Sequence, residues 1–348
     1  MKTQSFAAPS ADKPLIPYEF ERREPTSNDV ELDVQFCGVC HSDIHTAEGD
    51  WGEVQYPCVP GHEIVGIVTR VGSAVTKFKK GDRVGVGCMV NSCGKCDACK
   101  QGFENSCFNG TVWTYSSKDP IDGTDTKGGY STIMVAPEHF VLPIPESLDM
   151  AHAAPLLCAG ITTYSPLRHW NVKAGMKVGI IGLGGLGHMA TKYAVSMGAD
   201  VWVISSSANK TETAKSYGAK GLIVSTTKED MASAAHTFDF LLDTIPHAHD
   251  LSPYISLLTI HGTICLVGPI EPMPGFHSGT IISGQKSIAG SGIGGIKETA
   301  EMLAYSTEHN IMPEIEIINI QDINKAWDAL KQKQMAKRYV IDMKKSFP

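Results

Sequence analysis

The stretch KVGIIGLGGLGHMATKYAVSMGA, residues 177–199, decides the fold of the part of the chain in which it stands. It begins as an apolar run, typical of a buried strand, and continues as a helical pattern that Gly198 closes. Between the two, Gly182, Gly184 and Gly187 form the spacing G-x-G-x-x-G. These glycines permit a tight turn, close approach of a pyrophosphate to the backbone, and close packing of helix on strand. The stretch therefore predicts a dinucleotide-binding unit.

The residues that follow repeat the alternation of strand and helix. Four further strands are predicted, in VWVISS (201–206), GLIVS (221–225), FDFLLDT (238–244) and TICLVG (263–268). Apolar runs without polar alternation are typical of a parallel sheet that is covered on both faces. A helix is predicted for IKETAEMLAYSTEHN (296–310), whereas the first third of the chain mixes short alternating strands with glycine and proline. The pattern indicates a β-rich unit, an α/β unit and a tail.

The composition excludes some classes of partner. The chain has 348 residues, 42% of them hydrophobic, and a net charge of −7, so it has apolar matter for two domains but no basic stripe for nucleic acid. No apolar stretch has the length that a membrane span needs, and MKTQSFAAPSADKPL at the start lacks the apolar region of a signal peptide. We therefore expect a cytoplasmic protein with no membrane partner. In that compartment its ten cysteines predict metal binding rather than disulfides.

Four cysteines lie close together in NSCGKCDACKQGFENSC. Cys93, Cys96, Cys99 and Cys107 have the spacing C-x2-C-x2-C-x7-C, which lets one turn present several sulfurs to one ion. Four thiolates leave no open position, so the pattern predicts a structural zinc site in a lobe at about residues 88–110. An iron–sulfur cluster is the alternative, but its bacterial spacing has three residues and then a proline around the last cysteine. Unconnected free thiols are the other alternative.

A second set of ligands stands in three separate fragments, CGVCHSDIH (37–45), VPGHEIVG (59–66) and LLCAGITTY (156–164). A catalytic zinc needs about three protein ligands and one exchangeable position. Cys40, His62 and Cys158 can supply them. Each fragment is a weak signal alone, because a single buried histidine or cysteine is more often part of a core than a ligand.

Several motifs in a fixed order resemble one family. GHEIVGIVTRVGSAV (61–75) matches the zinc alcohol dehydrogenase signature G-H-E-x2-G-x5-G-x2-V, and it is followed by the cysteine lobe, by CAGITTYSPL (158–167) and by GLGGLG (182–187). With VWTYSS (112–117), the set most resembles the NADP-dependent cinnamyl-alcohol-dehydrogenase branch of the zinc-containing medium-chain alcohol dehydrogenases. The resemblance implies a GroES-like β-rich catalytic domain, residues 1–151 and 291–348, and a Rossmann domain with a doubly wound parallel sheet, residues 152–290. It also implies a homodimer.

The same resemblance assigns roles at the second metal site. Cys40, His62 and Cys158 would hold the catalytic zinc, and Glu63 would be a carboxylate that can replace water or substrate on the metal. Asp43 would accept a hydrogen bond from His62 and so fix its tautomer.

The chemistry implied by the resemblance is hydride transfer between NADP(H) and a primary alcohol or aldehyde. Ser42 would pass a proton to or from the substrate oxygen, and His45 would connect that relay to bulk water. Zinc would act as the Lewis acid. The family often has threonine at the position of Ser42. The alternatives are a zinc-independent quinone or enone reductase of the same superfamily and a non-catalytic NADPH-binding protein.

The segment VWVISSSANK (201–210) bears on the choice between NAD and NADP. In NAD-binding units a carboxylate about 20 residues after the glycine turn accepts the ribose 2′-hydroxyl. Here Asp200 stands at the start of the strand and Glu212 in the next helix, whereas Ser205, Ser206, Ser207 and Lys210 follow the strand. Hydroxyls and an ammonium suit a 2′-phosphate, which predicts NADP(H). The alternative is an ordinary serine-rich turn.

The remaining predicted site residues rest on the resemblance. Trp113 and Trp51 would be aromatic walls of the substrate pocket, although Trp113 suits lobe packing equally well. Gly292 stands where plant members tend to have a bulky aromatic residue, which implies a roomier or differently shaped pocket and weakens a specific claim for cinnamyl substrates. From the resemblance as a whole we expect aromatic or medium aliphatic aldehydes as substrates. Further contacts to the cofactor would come from His41, Thr162, Gly185, Leu186 and Thr244.

Overall fold

The structure is a computed structural model, and it describes residues 1–268, 271–332 and 337–347. The chain forms two compact units. The first consists of Met1–Ile161 together with Gly294–Pro348, and the second is Thr162–Ile293. Residues 152–161, which sequence analysis grouped with the Rossmann region, thus lie in the first unit, and residues 291–293 lie in the second.

The strands are numbered along the chain. They are β1 (Lys2–Ala7), β2 (Ile16–Glu21), β3 (Asp29–Gly38), β4 (Ile64–Val71), β5 (Arg83–Val86), β6 (Met89–Asn91), β7 (Val112–Trp113), β8 (Ile133–Pro137), β9 (Leu142–Pro143), β10 (Lys177–Ile181), β11 (Asp200–Ser205), β12 (Gly221–Val224), β13 (Phe238–Asp243), β14 (Leu258–Leu266), β15 (Ser287–Gly290), β16 (Ile315–Ile318) and β17 (Arg338–Asp342).

The α-helices are α1 (His41–Glu48), α2 (Asp97–Lys100), α3 (Met150–Pro155), α4 (Ile161–His169), α5 (Gly185–Ser196), α6 (Thr211–Ser216), α7 (Lys228–Ser233), α8 (Ser252–Ile255), α9 (Gly279–Ile282), α10 (Ile296–Glu308), α11 (Ile323–Lys331) and α12 (Met343–Ser346). A π-helical turn, Leu156–Gly160, joins α3 to α4. Short 3₁₀ turns lie at Glu104–Ser106, Glu138–Phe140, Ala208–Lys210 and Ile320–Asp322.

The second unit contains a six-stranded sheet in the order β12-β11-β10-β13-β14-β15, and all of its strand pairs are parallel. This is the doubly wound order, with its switch point between β10 and β13. Ile181 lies beside Ile204 and Asp243 in the register, so the carboxyl ends of β10, β11 and β13 meet at one edge. The predicted Rossmann fold is confirmed.

The first unit is built around a seven-stranded sheet in the order β16-β17-β3-β4-β5-β9, with β8 paired to β3. The long strand β3 is the centre, because it pairs antiparallel with β4, β8 and β17. Its alternating pattern VELDV buries Val30, Leu32 and Val34. The predicted β-rich GroES-like domain is confirmed.

The register of β3 decides where the functional residues meet. Cys37 lies opposite both Ile64 of β4 and Ile341 of β17. The chain just after β3 is therefore placed beside the chain just before β4 and beside the start of β17. Helix α3 packs on β3 and β4, which explains why residues 152–161 belong to this unit.

Among the described residues, no helix has both the length and the apolar character that crossing a membrane requires.

Candidate active site

The four cysteines of the lobe converge on one point. Their ligand atoms lie within 4.8 Å of one another, and the sulfur separations are 3.5 Å for Cys96–Cys99, 3.9 Å for Cys96–Cys107 and 4.0 Å for Cys93–Cys99. Four sulfurs each about 2.3 Å from a central zinc ion stand about 3.8 Å apart in a tetrahedron. The geometry of the lobe therefore fits a structural zinc ion.

Hydrogen bonds lower the pKa of Cys93 and Cys96, which favours the thiolate form at these two sulfurs. The Cys93 sulfur accepts from the backbone N–H of Cys96 at 3.4 Å and from the side-chain amide of Asn109 at 3.2 Å. The Asn109 bond is the largest of several that lower the pKa of Cys93 to about 5. By contrast, burial raises the pKa of Cys58 and Cys265 to about 12, as expected of inert core thiols.

The second predicted metal site is also assembled in the first unit. Ligand atoms of Cys40, His62, Glu63 and Cys158 lie within 4.8 Å of one another. Cys40 precedes the first turn of α1, His62 and Glu63 precede β4, and Cys158 projects from the π-helical turn. Cys40 and Cys158, which are 118 positions apart in the chain, thus lie close together. The pairing of β3 with β4 brings the fragments of Cys40 and His62 together, and the packing of α3 on both strands places the fragment of Cys158 beside them.

The side chain of His62 is oriented for metal binding. Its Nδ1 lies 2.9 Å from Asp43 Oδ1 and 3.0 Å from the Tyr115 hydroxyl, whereas its Nε2 is buried without a hydrogen-bond partner among the described residues. A buried imidazole nitrogen without a partner is costly unless it ligates something. Since the thiols of Cys40 and Cys158 stand beside it, the residues present fit a zinc ion.

Glu63 has a partner that sequence reasoning missed. Its side chain is fully buried and forms an ion pair with the guanidinium of Arg338, while its other carboxylate oxygen has no hydrogen-bond partner among the described residues. Burial raises the pKa of Glu63, and Arg338 opposes that shift. The arrangement leaves one oxygen of Glu63 available beside the metal ligands.

The residues predicted for proton transfer lie on α1. The hydroxyl oxygen of Ser42 is 3.6 Å from the Cys40 sulfur, at the edge of the ligand cluster. Nδ1 of His45 lies 2.8 Å from Asp50 Oδ2, and its ring stacks on Trp51 with the ring centroids 5.2 Å apart. His41, on the same helix, has its Nε2 3.2 Å from the Leu330 carbonyl.

The glycine turn in the second unit has the geometry that a pyrophosphate requires. Gly182 has φ +90°, and a Cβ at Gly187 would stand 2.1 Å from the Gly182 carbonyl oxygen, so both positions need glycine. A Cβ at Gly184 would meet nothing within 4 Å, so that residue instead leaves open space before α5. Gly185 and Leu186 form the first turn of α5, and Thr244 donates to the Ile181 carbonyl at 2.8 Å.

The serine-rich segment lies next to that turn. Asp200 begins β11 and Ser205 ends it, and the Gly182 N–H donates to the Ile204 carbonyl at 2.9 Å. Ser205 is buried, Ser206 is exposed, and the Ser207 hydroxyl donates to Asn209 Oδ1 at 2.6 Å. Lys210 reaches back, and its ammonium donates to the Leu183 carbonyl at 3.0 Å. The strand end therefore carries hydroxyls and one ammonium beside the glycine turn.

The predicted pocket residues occupy different environments. Trp113 ends β7 and is exposed, as is Trp51, whereas Tyr115 two residues further is buried against His62. Thr162 is buried at the start of α4, and a Cβ at Gly292 would meet nothing within 4 Å.

Four residues near the metal ligands were not found from the sequence. Arg338 pairs with Glu63, Tyr115 and Tyr130 contact His62 and Asp43, and the Cys88 sulfur lies 3.8 Å from the Leu157 carbonyl beside Cys158. Tyr115 stands within VWTYSS, a stretch that carries part of the family resemblance, so the sequence contained a signal for this residue. The other three meet the site through tertiary contacts that no local pattern marks.

Two family descriptions match the chain. Residues 26–146 match the alcohol dehydrogenase GroES-like domain, and residues 185–308 match the zinc-binding dehydrogenase family. The 8-hydroxygeraniol dehydrogenase of Catharanthus roseus is 48% identical over 345 residues, which cover 99% of this chain and 95% of that protein. The chain belongs to the zinc-containing medium-chain alcohol dehydrogenase family. It is an oxidoreductase that interconverts alcohols and carbonyl compounds.

Two further relatives place the chain within this family. An NADP-dependent alcohol dehydrogenase C of Mycolicibacterium smegmatis is 49% identical over 342 residues, with 97% of each chain covered. The structure of a cinnamyl alcohol dehydrogenase from Sorghum bicolor superposes with a TM-score of 0.95 at 42% identity, covering 98% of each chain. The predicted family, its cinnamyl-alcohol-dehydrogenase branch and the enzyme class are confirmed. The predicted cofactors, zinc and NADP(H), agree with the family description and the relative's name.

Metal analysis of the purified chain separates the two ligand sets. We expect two zinc ions per chain, one for each cluster. Cys158→Ser and Cys107→Ser should each lower the content to about one, because each removes one ligand from a different set. The buried core thiol Cys265 provides the control, since Cys265→Ser should retain both ions. The measurement is elemental analysis by mass spectrometry after gel filtration. A single zinc in the intact chain would contradict the assignment and agree with a zinc-independent reductase.

Proposed function

We propose that this enzyme is a zinc-dependent, NADP(H)-dependent alcohol dehydrogenase that reduces aromatic or medium aliphatic aldehydes. The observation that carries the proposal is that Nε2 of His62, beside the thiols of Cys40 and Cys158, has no hydrogen-bond partner in the part of the chain that the structure describes. Three ligands leave a fourth position for the substrate oxygen, which is the arrangement of a catalytic zinc site. Zinc, when bound there, supplies a Lewis acid that stabilises negative charge on that oxygen.

The protein side chains orient the ligands and move the proton. Asp43 and Tyr115 hold Nδ1 of His62, so that Nε2 faces the cluster. Ser42, at the cluster edge, can donate a proton to the substrate oxygen during reduction and accept it during oxidation. We propose His45 as the next group of the relay toward solvent. Glu63, held by Arg338, is proposed as the alternate ligand when the fourth position empties.

The cofactor preference is argued from charge. No carboxylate stands between Ser205, the last residue of β11, and Lys210, and Ser206 and Ser207 lie between the two. A carboxylate would repel a 2′-phosphate, whereas hydroxyls and an ammonium bind it. We propose His41, Thr162 and Thr244 as further cofactor contacts.

The pocket residues support a broad rather than a narrow choice of aldehyde. We propose Trp51 and Trp113 as aromatic walls of the substrate site. We propose Gly292 as a further pocket residue, and a Cβ at this position would meet nothing within 4 Å. One relative is named for 8-hydroxygeraniol and another for cinnamyl alcohol, which differ in shape and in aromatic character.

The decisive experiment compares NADPH with NADH in the reduction of benzaldehyde and cinnamaldehyde. We expect a higher kcat/KM with NADPH. Lys210→Ala should lower kcat/KM for NADPH by about 10–100-fold, since it removes a hydrogen bond between the ammonium and the charged 2′-phosphate. The kcat/KM for NADH should stay nearly unchanged. Lys215→Ala is the matched control, because Lys215 pairs with Glu212 on α6. Equal or better rates with NADH would contradict the cofactor assignment, and no turnover with either would favour a non-catalytic NADPH-binding protein.

The proton relay is tested at Ser42. Ser42→Ala should lower kcat by about 100–10,000-fold, the usual loss when a positioned proton-transfer group is removed. Ser42→Thr should restore most of the rate, because it keeps the hydroxyl. Thr46→Ala, one turn further along α1, is the control for hydroxyl loss on the same helix. The measurement is kcat from steady-state kinetics, with the zinc content of each variant determined in parallel. An unchanged kcat in Ser42→Ala would exclude a proton relay through Ser42.

We also propose a homodimer working in the cytoplasm. The edge strand β15 has a sheet neighbour on one side only among the described residues, and an unpaired edge is a surface on which a second strand can pair. None of the ten cysteines, all of which lie among the described residues, forms a disulfide, as a reducing compartment requires. Light scattering should give the mass of two chains. The mass of one chain at micromolar concentration would contradict the dimer.

A further inference from the structure

Glu104 lies within the four-cysteine lobe, between Cys99 and Cys107, yet its side chain bonds to residues outside the lobe. The residue is buried. Its Oε1 lies 2.7 Å from Nε2 of His139, and its Oε2 accepts the backbone N–H of Ile296 at 3.1 Å. Ile296 is the first residue of α10. A buried carboxylate requires such partners, so Glu104 joins the lobe to the start of that helix.

A second contact joins the same two elements. A Cβ placed on Gly295, the residue before α10, would stand 1.6 Å from the carbonyl oxygen of Gly102 in the lobe. Gly295 has φ −71° and ψ 169°, a conformation that any residue adopts. Glycine is needed there because of the close approach of the lobe and not because of the backbone angles.

Helix α10 packs against the turn that presents Cys158. A Cβ on Gly160 would lie 3.0 Å from the sulfur of Met302, a fully buried residue of α10. At the start of the helix, a Cβ on Gly294 would lie 2.7 Å from Ile161 Cδ1. Gly160 and Ile161 follow Cys158 by two and three positions, so α10 and the residues before it contact the chain directly after Cys158.

We propose that Glu104 is a positioning residue that links the four-cysteine lobe through α10 to the turn carrying Cys158. Through this link, metal binding in the lobe sets the geometry of the Cys40–His62–Cys158 cluster. The proposal rests on the proposed function for the role of that cluster. The link goes beyond the proposed function because it gives the lobe an effect on the catalytic ligands in addition to its effect on local stability.

The physical basis is that each part of the link is stiff when the lobe is ordered. The lobe has short elements and few apolar residues, so a bound ion supplies much of its order. Once ordered, it holds Glu104 and Gly102 against the start of α10. A helix transmits a displacement along its length, and close-packed contacts such as Met302 against Gly160 resist compression. The turn carrying Cys158 therefore shifts when the lobe loosens.

The test uses the full-length zinc enzyme and four variants. Glu104→Ala removes both hydrogen bonds, whereas Glu104→Gln keeps an oxygen that can accept the Ile296 N–H. Gly295→Ala forces the lobe away from α10 while retaining Glu104. Asp29→Ala is the matched control, because Asp29 is also a buried carboxylate of the first unit that holds one cation, Arg23, and one backbone N–H, of Thr26.

Two readouts are measured without substrate. The first is the rate at which a colorimetric chelator removes zinc from the Cys40–His62–Cys158 cluster, and the second is the visible spectrum of cobalt bound there. We expect Glu104→Ala and Gly295→Ala to release this zinc about fivefold faster, which is a typical effect of coupling through a packed network. In both variants the cobalt spectrum should also shift. Glu104→Gln should stay within about twofold of the intact enzyme.

A double-mutant cycle identifies the origin of the effect. Cys107→Ser, which empties the lobe, should release the other zinc faster in the intact background and add nothing in the Glu104→Ala background. If Asp29→Ala matches Glu104→Ala in both readouts, or if the cobalt spectrum stays unchanged in both Glu104→Ala and Gly295→Ala, the link does not exist. Since no turnover is measured, loss of the proposed dehydrogenase activity would leave this test intact.

Discussion

The carboxylate of Asp43 is the constraint on which the Cys40–His62–Cys158 cluster depends. It is fully buried and accepts four hydrogen bonds, from the backbone N–H groups of Cys40 and Gly61, from Nδ1 of His62 and from the hydroxyl of Tyr130. A buried charge is tolerated only when its oxygens are satisfied in this way. The donors come from the start of α1, from the segment before β4 and from Tyr130, so one carboxylate holds these three parts of the first unit in a single arrangement.

The tyrosines contribute because they stay neutral. Burial raises the pKa of Tyr115 and Tyr130 well above its usual value, so both keep their protons at neutral pH. Tyr130 can therefore donate to Asp43, and Tyr115 adds a second contact to Nδ1 of His62. With Nδ1 committed to these partners, Nε2 faces the thiols. The orientation of the His62 ring is thus fixed by groups outside the ligand cluster.

The sequence was sufficient for the features that depend on spacing and periodicity. The strand–glycine turn–helix unit, the parallel sheet, the cysteine lobe and helix α10 were all predicted, because each is encoded within a short window. The pair Arg338–Glu63 spans 275 positions and the bond between Glu104 and Ile296 spans 192. Such contacts arise from the register of β3 with β17 and from the docking of α10, which no local pattern specifies. The boundaries of the two units differ from the predicted domain limits because of a tertiary contact of the same kind, the packing of α3 on the sheet of the first unit.

Charge balance explains why this buried cluster suits a divalent ion. Glu63 and Arg338 form a neutral pair, and the charge of Asp43 is compensated by its four donors. The thiols of Cys40 and Cys158 remain, and two thiolates side by side repel each other in a buried site. An ion of charge +2 neutralises both, while a monovalent ion would leave one negative charge buried. A metal ion here would need both sulfurs as thiolates, so its affinity would fall as acid protonates them.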